Sequence, residues 1–96
     1  MRRRFIVCYD ISDPKRLART FRKMKGFGDP LQKSVFTCDL SAAEKVMMIG
    51  ELTEIVNMKE DSVIIVNTGL VTGKRKSLEY LGRPVLPDEG TQVIII

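Results

Sequence analysis

An α+β domain of two layers is what this sequence predicts. Three observations carry the prediction. Short apolar runs of strand length recur along the chain, two longer stretches between them have helical spacing, and the total of 96 residues fills one core and no more. The run Phe5-Ile6-Val7-Cys8-Tyr9 is too short for a helix and long enough for a strand. It delivers one carboxylate, Asp10, to its C-terminal end. An acid at a strand end beside a helix start is where α/β chains often carry chemistry, although the same residue can simply cap a turn.

A helix is predicted from about Asp13 to Lys25. Ser12 or Asp13 can cap it, and Pro14 suits its first turn, where no backbone donor is needed. Leu17, Phe21 and Met24, with Ala18 beside them, form its expected core stripe. Lys15, Arg16, Arg19, Arg22 and Lys23 crowd the rest, and Gly26 is the expected C-terminal cap. Gly26-Phe27-Gly28-Asp29-Pro30 then reads as a turn. It is not a phosphate loop, since no Lys-Ser/Thr follows at the required spacing.

Leu31 to Leu40 reads as a second strand, with Phe36, Cys38 and Leu40 on one face and Lys33, Val35, Thr37 and Asp39 on the other. Ser41 and Glu44 form a capping box for a second helix that runs to about Asn57, with Met48, Ile49, Leu52, Ile55 and Val56 as its buried stripe. Asp61 to Asn67 holds Val63-Ile64-Ile65-Val66, a strand apolar on both faces. Asn67 to Ser77 reads as a loop with the basic triplet Lys74-Arg75-Lys76. Leu78 to Leu81 is a short further strand stopped by Gly82, and the chain closes on the apolar run Val93-Ile94-Ile95-Ile96.

The predicted fold class is a ferredoxin-like β-α-β-β-α-β sandwich with an extra C-terminal strand. The domain is expected to span residues 1–82. Residues 83–96 would form a tail whose strand packs on a sheet edge, of this chain or of a partner subunit. Two helices cover only one face of a sheet, yet several strands are apolar on both. The uncovered face therefore predicts a homodimer with its sheets facing one another. A two-fold axis near the first strand would bring two Asp10 carboxylates together, and a hard cation such as Mg²⁺ or Mn²⁺ is the natural bridge between them.

Composition narrows the chemistry. The chain has no histidine, which removes His-based triads, imidazole acid–base catalysis and His-ligated zinc. Cys8 and Cys38 lie within apolar runs without metal-ligand spacing and read as reduced core thiols, expected of a cytoplasmic protein. No apolar run approaches a membrane span, and no signal peptide follows Arg2-Arg3-Arg4. The net charge of +4 is concentrated: residues 1–33 carry +7 and residues 34–96 carry −3. Such a basic region is the electrostatic footprint of a polyanion, or else a solvated helix face. The candidate phosphate contacts are Arg16, Arg19, Arg22, Lys23, Lys33, Lys74, Arg75 and Lys76. Phe36 could stack on a base, but its apolar strand face favours the core.

Several short motifs, in order, resemble one family. Tyr9-Asp10-Ile11, Arg16-Leu17, Gly26-Phe27-Gly28, Gln32-Lys33-Ser34-Val35-Phe36 and Glu79-Tyr80-Leu81-Gly82-Arg83-Pro84 are similar to stretches of the CRISPR-associated protein two family, over nearly the whole chain. Two positions depart from it. Pro30 stands where many relatives carry Arg, and Thr37 where many carry Glu. The resemblance implies a ferredoxin-like homodimer in the cytoplasm and a Mg²⁺-dependent endonuclease on RNA or double-stranded DNA, with Asp10 as catalytic residue and metal ligand. It also implies an architectural role in spacer acquisition, in which the dimer bridges the CRISPR integrase. A third class, a regulatory module that binds a small metabolite, is compatible with the fold alone.

Overall fold

The computed structural model describes residues 1–71, 79, 81 and 82. Its elements are β1 (Arg3–Asp10), α1 (Pro14–Met24), β2 (Asp29–Gln32), β3 (Val35–Leu40), α2 (Ala42–Ile55) and β4 (Ser62–Leu70). The sheet is antiparallel with strand order β2-β3-β1-β4, so the first strand is central. This is the α+β, ferredoxin-like arrangement that the sequence predicts.

Side-chain alternation along β1 sorts the sheet into two faces. Phe5, Val7 and Tyr9 point into one core with Phe36, Cys38 and Leu40 of β3, Met24 of α1, and Met48 and Leu52 of α2. Both helices therefore lie on the same side. Ile6 and Cys8 point the other way, opposite Val66 and Ile64 of β4 in the register. There Ile64 is 59% exposed and Val66 48%, an unusual level for β-branched residues at mid-strand. Arg4 and Asp39 pair across β1 and β3 through two hydrogen bonds of 2.8 and 3.0 Å.

Local chemistry explains the helix ends. The Asp13 carboxylate accepts from the Arg16 backbone N–H at 2.9 Å, and Pro14 follows in the first turn. Asp13 is thus the cap, not Ser12. The Ser41–Glu44 capping box is complete in both directions, at 2.8 and 3.2 Å.

Five expectations are corrected. The stretch read as one strand, Leu31–Leu40, is a hairpin: Gln32 pairs with Val35 around a two-residue turn, Lys33-Ser34. The last strand of the described sheet runs on to Leu70, past the loop expected from Asn67. A bulge at Thr68 keeps it paired with Arg4 and Arg3, and the Thr68 hydroxyl donates to the Arg4 carbonyl at 2.7 Å. On α1 the buried residues are Thr20 and Met24, while Leu17 is 39% exposed and Ala18 lies outside. On α2 Ile49 is exposed, while Met48, Leu52 and Ile55 are buried. The further strand at Leu78–Leu81 is not seen at its described positions: Glu79 has no regular structure, and Leu81 and Gly82 form a bend. Its remaining residues, the basic triplet and the tail 83–96 lie outside the described residues.

Candidate functional site

The C-terminal end of β1 is where the chain gathers its polar chemistry. Asp10 ends the strand opposite Ser62 of β4, and its side chain is exposed. Among the described residues no hydrogen bond or ion pair engages its carboxylate. It caps no turn, so the simplest structural use of an acid at this position is absent.

The residue before it fixes the neighbouring hairpin. The Tyr9 N–H donates to the Ser34 carbonyl at 3.0 Å, and the Tyr9 hydroxyl donates to the Lys33 carbonyl at 2.9 Å. Burial pushes the Tyr9 phenol up to about 12, so it remains a donor at any physiological pH. The consequence is positional: the Lys33-Ser34 turn sits at the same end of the sheet as Asp10, with the Lys33 side chain exposed.

The loop after Asp10 is held by an acid from a different segment. The Asp61 side chain is fully buried. Its Oδ1 accepts from the Ser12 N–H at 3.0 Å, from the Ser12 hydroxyl at 3.3 Å and from Arg16 Nη2 at 3.2 Å. Its Oδ2 accepts from Arg16 Nε at 2.8 Å and from the Asn57 N–H at 2.8 Å. The Arg16 guanidinium, aided by the two backbone donors and opposed by burial, holds the Asp61 carboxyl well below the usual carboxylate range. Arg16 itself is raised, chiefly by the bond to Asp61, and also reaches Glu60 at 3.0 Å.

The predicted phosphate contacts fall into three groups. Arg16 is engaged with Asp61 and Glu60 as above. Lys23 is paired with Glu51 at 3.2 Å. Arg19 and Arg22 form no ion pair among the described residues and line a groove of about 730 Å³ between α1 and α2, together with Phe27, Met47, Glu54 and Ile55. Lys33 stands apart from all of these, on the turn beside Asp10. Lys74, Arg75 and Lys76 lie outside the described residues.

A hard divalent cation prefers oxygen ligands and commonly binds through one or two carboxylates, with waters and substrate phosphates completing its shell. Asp10 fits that role as a single exposed donor. Among the described residues no group of three acids or thiols forms a ready cage. A cation at such a donor would draw its other ligands from waters, substrate oxygens or a second chain.

The profile of the CRISPR associated protein Cas2 family matches residues 1–72 of this chain. The chain belongs to that family. A Cas2 relative from Geobacter sulfurreducens, named CRISPR-associated endoribonuclease Cas2, is 36% identical over 91 residues, covering 95% of this chain and 96% of its own. One from Rhodospirillum rubrum, also named a Cas2 endoribonuclease, is 34% identical over 79 residues, covering 82% of this chain and 78% of its own. Among solved structures, Streptococcus pyogenes Cas2 superposes with a TM-score of 0.68 at 31% identity, over 82% of this chain and 99% of that one. A hypothetical protein from Thermus thermophilus gives 0.74 at 27% identity, over 92% and 100%.

Within this Cas2 chain, Asp61 is the residue that sequence reading missed. It stands 45 positions from Arg16, and no spacing rule connects them. The available signal was an acid directly before an apolar strand that lands beside β1.

Proposed function

We propose that this chain is a metal-dependent endonuclease of the CRISPR adaptation machinery, working as a cytoplasmic homodimer on RNA or double-stranded DNA. The observation that carries this reading is the exposed Asp10 carboxylate, free of partners among the described residues, at the sheet end shared with Lys33. The relatives named endoribonucleases favour RNA as the substrate. In this reading Asp10 holds Mg²⁺ or Mn²⁺, and Lys33 grips a backbone phosphate. The Ser12 and Ser34 hydroxyls lie in the two segments that flank Asp10. A cation bound there supplies charge neutralisation at the phosphoryl group and a more acidic water. Lys33 supplies a cation without competing for it.

The test is Asp10→Asn on RNA and on duplex DNA, with Mg²⁺ and with EDTA. We expect cleavage to fall by at least about 100-fold, as it does when a group acting directly on the reacting centre is removed. EDTA should do the same to the wild type. Equal cleavage by both proteins would remove Asp10 from the chemistry.

The homodimer of this reading is supported by the sheet face that the two helices leave open. Ile64 and Val66 are exposed there, beside half-buried Ile6, Cys8 and Val35. Ile64→Glu should leave the single chain folded, because the side chain is 59% exposed, and should give a monomer in sedimentation where the wild type is a dimer. A wild type that sediments as one chain would end this part of the proposal.

A second reading is favoured by the sparse donor set and by Arg19 and Arg22. A site without a cluster of acids is sparse for catalysis, whereas two arginines on one helix, unpaired among the described residues, suit phosphate contacts. In this reading the dimer is a scaffold that holds DNA and bridges the CRISPR integrase. Charge reversal at Arg19 and Arg22 would then abolish DNA binding, and Asp10→Asn would leave it intact.

A further inference from the structure

Among the described residues nothing holds the Asp10 carboxylate directly, so its position is set by its neighbours. We infer that Arg16 and Asp61 form a clasp that positions Asp10, and that Arg16 is a positioning residue and not a contact to nucleic acid; this rests on the reading of Asp10 as the metal-holding group.

The clasp closes on both sides of Asp10. Downstream in the chain, the Asp61 carboxylate takes the Ser12 N–H and hydroxyl, two residues beyond Asp10. Across the sheet, Asp61 is followed at once by Ser62, the register partner of Asp10. Arg16 ties the first turns of α1 to the same carboxylate through two nitrogens, and its Nη2 also reaches the Ser12 hydroxyl at 3.3 Å. The Asn57 N–H closes the fourth side, from the turn after α2. Three separate segments thus converge on one buried carboxylate at the end of the sheet that carries Asp10.

Such a network is costly unless it is complete. A buried charge that loses its partner remains unpaired, which is why fully satisfied networks rigidify what they touch. The N-terminus of α1 has no need of it, since Asp13 already caps the helix. What the clasp adds is a fixed path for Ile11 and Ser12, and hence for the carboxylate just before them. Displacement of a reacting group by about 1 Å can cost about 100-fold in rate. The same arrangement removes Arg16 from the phosphate contacts, because its Nε and Nη2 already point at Asp61, Glu60 and Ser12.

The experiment compares Arg16→Lys, Arg16→Gln, Asp61→Asn, Lys33→Gln and Asp10→Asn in the full chain. It measures Mn²⁺ binding by electron paramagnetic resonance without nucleic acid, RNA affinity as a function of salt, and cleavage. Arg16→Lys keeps the charge but loses the planar fork, so it separates the two roles. A clasp predicts that Arg16→Lys, Arg16→Gln and Asp61→Asn each weaken Mn²⁺ binding about 10-fold and lower cleavage about 100-fold, with the salt dependence of RNA binding unchanged. Lys33→Gln should do the opposite: the log–log salt slope falls by about one and Mn²⁺ binding is kept.

If Asp61→Asn does not fold, Arg16→Lys still decides, since Arg16 is partly exposed and the substitution preserves its charge. The inference is overturned if Arg16→Lys binds Mn²⁺ as the wild type does while Asp10→Asn does not. It is equally overturned if Arg16→Gln lowers the salt slope by about one. If Asp10→Asn binds Mn²⁺ like the wild type, the reading of Asp10 fails, and the clasp loses its object with it.

Discussion

Gly28→Ala should destabilise the protein by about 3 kcal/mol, at the severe end of what overpacking costs. For a domain of this size that corresponds to a melting temperature lower by about 12–24 °C. Gly28 lies between α1 and β2, where its N–H donates to the Met24 carbonyl at 3.0 Å. The chain there crosses close over β3. A Cβ on Gly28 would overlap the Thr37 carbonyl oxygen and come within 2.6 Å of Cys38 Sγ and 3.0 Å of Cys38 Cα. Both neighbours belong to a strand flanked by β1 and β2, and Cys38 is fully buried. Neither can move aside without opening the sheet.

Two other glycines make the comparison internal to the molecule. At Gly26 the nearest atom to an added Cβ is the Lys23 carbonyl oxygen at 3.3 Å, and at Gly50, inside α2, nothing lies within 4 Å. Alanine at Gly50 should therefore stabilise the helix by up to about 1 kcal/mol, the propensity difference between the two residues. Thermal melts of the three variants check the ranking. A Gly28→Ala protein that melts within a few degrees of the wild type would mean that the turn can shift, and that the close crossing is not a constraint.

The same glycine illustrates what the sequence exposes and what it hides. Its place between a helix and a strand is visible from the sequence alone, as are the cap at Ser41 and a cap at Ser12 or Asp13. Those features depend on residues three positions apart. That Gly28 rather than Gly26 is the constrained one depends on where β3 passes, which no local rule reports. The hairpin within Leu31–Leu40 was hidden for a related reason. Its turn is Lys33-Ser34, without the glycine or asparagine that usually announces a two-residue connection. Tyr9 supplies the missing stabilisation from another strand, through the Lys33 and Ser34 carbonyls.

The core stripe of α1 holds at Met24 and half-buried Phe21 but not at Leu17. Apolarity favoured Leu17, but Thr20 is the residue that is fully buried. Polar contacts made elsewhere hold α1: Arg16 to Asp61 at one end and Lys23 to Glu51 further along. The Thr20 hydroxyl is left buried with no hydrogen-bond partner among the described residues. For the candidate site the division is the same. Asp10 and Lys33 are legible because each sits at the end of a local pattern. Asp61 is not, because its meaning comes from segments far away in the chain.

Phe36→Ala should be the most damaging single truncation of the core, costing about 3–5 kcal/mol. That is a large share of the roughly 5–15 kcal/mol that holds a domain folded. Phe36 has no solvent exposure and pairs in register with Val7 of β1 and Pro30 of β2. Its ring lies 6.2 Å from that of Tyr9, nearly stacked, and 5.4 Å from that of Phe21, edge-on. It therefore joins the sheet to α1 and backs the tyrosine that anchors the Lys33 turn. A ring with no exposed surface cannot also stack on a base, so the two roles weighed from sequence separate cleanly. Phe36→Leu keeps most of the volume and should fold, with a smaller loss of stability. It should bind RNA with unchanged affinity if Phe36 is core alone. Urea titration of both variants and RNA binding by Phe36→Leu test this together. A well-folded Phe36→Leu protein with RNA affinity reduced 10-fold or more would show that the strand opens to let the ring meet nucleic acid.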